Sequence, residues 1–125
     1  MEQQTPLVAI IDDELSIRTA LQRLFRSTRY RAEFFASCAE FLKFSADHEP
    51  DCVVIDMQLP EMPGIELVRQ LSARKNPPPM IVVTGDIEFR TKEECIALGT
   101  KYYLSKPFEG SVLLESVATI VESAR

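Results

Sequence analysis

Several residues able to do chemistry stand directly at the ends of short apolar runs. Asp12-Asp13 follow Leu7–Ile11, Asp56 follows Cys52–Ile55, Thr84 follows Met80–Val83, and Ser105-Lys106 close Lys101–Leu104. Three carboxylates drawn into one crevice repel one another and raise each other's pKa unless a cation lies between them. Oxygen ligands with no His or Cys beside them favour a hard cation, Mg²⁺ ahead of Ca²⁺. A metal on one side of a carboxylate, with an ammonium (Lys106) and a hydroxyl (Thr84) on the other, is the clamp that phosphoryl transfer needs. Asp56, central among them, is the nucleophile of choice, since an aspartyl phosphate is an accessible covalent species. Capping of a helix would account for Asp12 and Asp13 alone. It explains neither Asp56 nor Lys106.

For these residues to meet, the apolar runs must lie side by side. Leu7–Ile11, Cys52–Asp56 and Met80–Thr84 read as strands buried on both faces, with Arg31–Phe35 and Lys101–Ser105 as two more. Ile17, Ala20, Leu21, Leu24 and Phe25 fall on one stripe of a helix opening at Glu14, with acidic residues at its start and Arg26 and Arg29 near its end. Ser37-Cys-Ala-Glu40 reads as a capping box opening a second helix. Ile65, Val68 and Leu71 begin the buried stripe of a third, Thr91–Leu98 form a short fourth stopped by Gly99, and Leu113, Leu114, Val117, Ile120 and Val121 mark the last. Strands alternating with helices predict an α/β fold: a doubly wound, five-stranded parallel sheet of order 2-1-3-4-5, flavodoxin-like in architecture. Ligands of such sheets sit outside the carboxyl ends of the strands, where the strand order reverses. That point lies between strands 1 and 3, where the aspartates converge.

Composition bounds the rest. The chain has 125 residues, 46% hydrophobic and 26% charged, which suits one domain spanning residues 1–125. Its net charge of −5 argues against direct binding of nucleic acid. No apolar run approaches the roughly 20 residues that cross a bilayer, and the start, MEQQTPLVAII, lacks the basic flank of a signal peptide. Cys38, Cys52 and Cys95 are odd in number and unrelated in spacing, which suits a reducing, cytoplasmic setting and buried thiols. His48, the lone histidine, reads as a solvated loop residue; Pro77–Pro79 set the direction of a loop, and Tyr102 points away from Tyr103 across the pleat.

Four stretches in order, IIDDE, VIDMQLPEMPG, VVTGD and YYLSKPF, resemble the receiver (CheY-like) domain of bacterial two-component response regulators, from about Leu7 to Val121. SCAEFL and PEMPGIEL resemble regulators of the FixJ/LuxR kind. By that resemblance Asp56 is the phosphoacceptor, Asp13 the direct Mg²⁺ ligand, Asp12 its water-mediated companion, and Gln58 the donor of a backbone carbonyl to the metal. Thr84 and Lys106 correspond to the switch hydroxyl and the phosphate-pairing lysine, Tyr103 to the aromatic switch residue, and the Lys106–Pro107 bond is expected to be cis. The resemblance implies a sensor histidine kinase as phosphodonor and a domain that catalyses only its own phosphorylation and dephosphorylation. It also implies a phosphorylation-dependent homodimer through helix 4, strand 5 and helix 5 or neighbouring faces, and a transcriptional output through a DNA-binding domain outside this chain, with no membrane partner. Thr91-Lys-Glu-Glu-Cys-Ile is more polar than the alanine-rich fourth helix of relatives, and LLESVATIVESAR lacks the arginine-rich last helix of winged-helix regulators.

Two other classes share parts of the pattern. A flavodoxin-like FMN module needs a hydroxyl- and glycine-rich loop after strand 1, where Asp12-Asp13-Glu14 would repel phosphate. A haloacid-dehalogenase phosphatase needs a second Asp two residues after the first, where Gln58 stands.

Overall fold

A computed structural model describes residues 5–85 and 89–123, with side chains for 5–85 and 91–123; Asp86, the end of the VVTGD stretch, lies outside them. Among the described residues the order is β1 (Leu7–Ile11), α1 (Leu15–Arg26), β2 (Arg31–Phe35), α2 (Cys38–Ser45), β3 (Cys52–Asp56), α3 (Gly64–Ser72), β4 (Met80–Thr84), α4 (Phe89–Ala97), β5 (Tyr102–Ser105) and α5 (Gly110–Ser123). The strands form one parallel sheet of order β2-β1-β3-β4-β5, as expected from the sequence. Every residue of β1, β3 and β4 is buried, because helices cover both faces and no polar face remains to alternate with an apolar one.

The pleat sorts the strand side chains into two cores. Ala9, Ile11, Val53, Ile55 and Val82 face α2, α3 and α4, where Phe41, Leu67, Leu71 and Cys95 meet them. Val8, Ile10, Val54, Ile81 and Val83 face α1 and α5, packing on Phe25, Leu113 and Val117. Tyr103 joins the first core and Tyr102 the second, so the two tyrosines do point apart. The register pairs Ile11 with Ile55, Asp56 with Val83, and Thr84 with Ser105, which brings the polar strand ends to one rim of the sheet.

The helix ends differ from expectation in instructive ways. Helix α1 starts at Leu15, so the acidic residues precede its first turn; Glu14 is the N-cap but makes no side-chain cap bond, and Arg29 lies past the end. The cause is a turn before the helix: Asp12 Oδ1 accepts the Glu14 N–H at 2.9 Å. At α2, Ser37 Oγ accepts the Glu40 N–H at 3.2 Å, but Glu40 reaches back to the Ala36 N–H, one residue earlier than a reciprocal box requires. Helix α4 starts at Phe89 rather than Thr91. It ends as read from Gly99: at φ 97°, Gly99 donates to Ile96 and Thr100 donates to Cys95, a pair of bonds that closes the last turn.

His48 is a correction. It is half-buried, donates from Nδ1 to the Phe44 carbonyl at 2.9 Å, and stacks on the Phe44 ring at 4.0 Å between centroids. The three cysteines are free and buried, and burial pushes the Cys52 thiol up to about 12 and the Cys95 thiol to about 11. No helix among the described residues is long and apolar enough to cross a membrane.

Candidate functional site

Asp12 leaves β1 with its N–H still bonded to the Phe35 carbonyl, so the sheet fixes its backbone up to the rim. Asp56 ends β3, and its Oδ1 accepts the Gln58 N–H at 3.0 Å. Both carboxylates are buried, at 4% and 2% exposure, whereas Asp13 is exposed. One carboxylate oxygen from each of Asp12, Asp13 and Asp56 lies within 4.8 Å of the others. Lys106 reaches in from the end of β5, its backbone N–H held by the Thr84 carbonyl at 2.8 Å, and its bond to Pro107 is cis as expected. Its Nζ stands 3.1 Å from Asp12 Oδ2, 3.4 Å from Asp56 Oδ2 and 3.9 Å from the exposed Glu14 carboxylate.

Burial dominates the electrostatics of Asp56. Desolvation raises its carboxyl above the usual range; the Gln58 N–H and Lys106 pull it back, and the charge of Asp12 pushes it further up. Burial alone would lower the Lys106 ammonium, but the Asp12 bond and the Asp56 charge outweigh it and hold the ammonium above its ordinary value. Three carboxylates against one ammonium leave an excess of two negative charges in a site made of oxygen atoms. That donor set fits a hard divalent cation.

Thr84, 2% exposed, lies one position beyond Val83, the partner of Asp56 in the register. Tyr103 pairs with Val82, two residues before Thr84, which puts Tyr103 and Thr84 on the same face of the sheet. Lys92 of α4 stands over the Tyr103 ring, 5.9 Å from its centroid. Asp12, Asp13, Asp56 and Lys106 are therefore brought together, Gln58 is tied to Asp56, and Tyr103 lies below them in the α3–α4 core.

Two further residues shape the site: Arg18, outside the four stretches, and Gly64, the last residue of VIDMQLPEMPG, to which the sequence alone gives no role. Arg18 of α1 donates from Nη1 to the Asp12 carbonyl at 2.7 Å. A cation this early in a helix runs against the helix dipole, which is the one trace it leaves in the sequence. Gly64 opens α3 so close to the strand end that a Cβ there would lie 2.6 Å from Met57 Cα and 2.7 Å from the Asp56 carbonyl oxygen. Its N–H bonds the Met57 carbonyl at 3.1 Å, pinning α3 beside Asp56.

A family model of the response regulator receiver domain matches residues 8–118. The chain belongs to the response regulator receiver family. Among curated proteins, this receiver is similar to the transcriptional regulatory protein FixJ of Rhizobium meliloti, 32% identical over 88% of this chain and 54% of that protein. It is also similar to the response regulator protein TmoT of Ectopseudomonas mendocina, 28% identical over 99% of this chain and 56% of that protein. The chain spans about half the length of the curated relatives it matches. Among solved structures, a CheY-like receiver domain protein from Methanospirillum hungatei superposes with a TM-score of 0.90 at 22% identity, covering 96% of both chains. A Burkholderia pseudomallei response regulator, solved with a phosphorylated aspartic acid and a calcium ion, superposes at 0.82 with 21% identity, covering 95% of this receiver and 70% of that chain. The fold is that of CheY-like receivers, and the domain is a two-component signalling domain.

Proposed function

We propose that this receiver accepts a phosphoryl group from a histidine kinase onto Asp56, with Mg²⁺ held by Asp12, Asp13, Asp56 and the Gln58 carbonyl. The observation that carries the proposal is the bracketing of buried Asp56, with Lys106 Nζ 3.4 Å from one oxygen and the Gln58 N–H on the other. The Burkholderia relative, with its phosphorylated aspartic acid and its calcium ion, supports both halves of the reading.

Asp56 attacks as the carboxylate, so no base is needed. One P–O bond to its carboxylate forms while the P–N bond of the phosphohistidine breaks, and the electron pair leaves with the imidazole nitrogen. Lys106 supplies a fixed positive charge beside the incoming phosphoryl oxygens, and Mg²⁺, when bound, neutralises further charge on them. Water attack on phosphorus later frees phosphate and restores the carboxylate. The domain thus catalyses only its own phosphorylation and dephosphorylation.

The output follows from position. Phosphate on Asp56 draws Thr84 toward it, Tyr103 follows on the same face, and the α4–β5–α5 surface changes shape to favour a homodimer. Residues 1–125 act as one cytoplasmic unit, and transcription is the controlled output, as the name of the Rhizobium relative suggests.

Acetyl phosphate with Mg²⁺ tests the acceptor by intact-protein mass. The wild type should gain one phosphoryl group and Asp56→Asn none; an adduct persisting in the variant moves the acceptor elsewhere.

A further inference from the structure

We propose that Arg18 is a positioning residue for the metal carboxylates: by gripping the carbonyl of Asp12 it fixes the peptide that carries Asp13. The proposal rests on the Mg²⁺ reading above.

Asp12 has three oxygens, and each has a donor. Oδ1 takes the Glu14 N–H at 2.9 Å, Oδ2 lies 3.1 Å from Lys106 Nζ, and the backbone oxygen takes Arg18 Nη1 at 2.7 Å. The first two bonds hold the buried side chain. The third holds the peptide between Asp12 and Asp13, past the end of β1. Asp13 is exposed, so its direction depends on that peptide. Arg18 is half-buried on the second turn of α1, and its own N–H bonds the Glu14 carbonyl at 3.1 Å. The β1–α1 turn is therefore closed at both ends by one residue. Outer partners that orient metal ligands are worth roughly 10–100-fold in affinity where they have been removed.

Charge and position make opposite demands here. Arg18 places a positive charge beside a site for a dication, so Coulomb's law alone says its removal tightens Mg²⁺ binding. Positioning says removal loosens it.

The experiment is a calorimetric Mg²⁺ titration of the protein without phosphodonor, comparing wild type with Arg18→Met, which keeps the length and loses both charge and donor. The expected result is about tenfold weaker Mg²⁺ binding in a variant that still melts cooperatively. Equal or tighter binding by Arg18→Met overturns the role of Arg18 while leaving the metal reading intact. A wild type that binds no Mg²⁺ overturns both. Should Arg18→Met not fold, Arg18→Ala serves instead: it too loses both charge and donor, so weakened binding upholds the positioning role and equal or tighter binding overturns it.

Discussion

Lys106 Nζ lies 3.4 Å from Asp56 Oδ2, and the two residues are 50 positions apart in the chain. The contact does two opposed jobs. It keeps a buried carboxylate ionised enough to attack phosphorus, and it holds a cation where phosphoryl oxygens must arrive. Neither job removes the cost of burying Asp56, whose carboxyl still sits above the usual range because of desolvation.

That cost gives a stability prediction with a definite sign. The folded state binds the Asp56 proton more tightly than the unfolded chain does. Wild-type stability therefore falls as pH rises from the ordinary carboxylate range through the raised value, and the full penalty is present above it. Asp56→Asn lacks this term, so in metal-free protein it should be the more stable by about 1 kcal/mol at neutral pH, with the gap closing in acid. Mg²⁺ at ten times its dissociation constant should return about 1.4 kcal/mol to the wild type and much less to the variant. Urea unfolding across pH, with and without Mg²⁺, measures both; a gap that widens in acid contradicts the sign.

Gly64→Ala should damage the site without touching its charges. The added Cβ meets backbone atoms of Asp56 and Met57, which cannot swing aside, so α3 or the strand end must shift. Overpacking of this kind costs about 1–3 kcal/mol. Acetyl phosphate labelling should slow as well, because the displaced backbone is the one that presents Asp56. Labelling at the wild-type rate would mean that α3 moves and the strand does not.

Thr84→Ala separates acceptance from response. Asp56 and Lys106 remain, so phosphorylation should persist. The change in Tyr103 NMR signals and in self-association on adding beryllofluoride with Mg²⁺ should shrink. A ligand shifts an equilibrium only through contacts that differ between its two states, and the Thr84 hydroxyl is the contact removed. Identical responses in variant and wild type would break the proposed link from Thr84 to Tyr103.

Helix α4 is tied to α3 by Arg69, which pairs with both Glu66 and Glu94, and by Ser72 Oγ donating to the Leu98 carbonyl at 2.8 Å. Exposed ion pairs contribute little to global stability, so Arg69→Ala should leave the melting temperature nearly unchanged. Hydrogen exchange should nevertheless speed up in α4, and high salt should erase the difference between variant and wild type. Uniform exchange across the domain would show that the pair does not hold α4 locally.

The inner strands were legible because a parallel sheet buried on both faces writes each strand as an unbroken apolar run, and β1, β3 and β4 lie where those runs lie, while β2, at the sheet edge, mixes Arg31 and Glu33 with its apolar residues. The start of α4 was not, since no capping side chain marks Phe89 in the sequence. The carboxylates and Lys106 were legible at the site because each ends such a run. Arg18 was not, because its partner is a backbone carbonyl; Gly64 stands in the VIDMQLPEMPG stretch, but its close approach to the Asp56 and Met57 backbone emerges only in the fold. The place of His48 depended on the Phe44 ring coming round one helical turn beneath it.

Because the register brings the strand ends with their polar residues to one rim, the site described above lies away from the opposite rim. In its α3–β4 connection, 73–79, residues 73–77 are exposed and Pro78 is buried. Exposed connections of that kind tolerate inserted chain best. A reporter peptide spliced between Arg74 and Asn76 would ride at the far end of the sheet, leaving phosphate uptake unaltered while giving the molecule a handle for immobilisation or fluorescence.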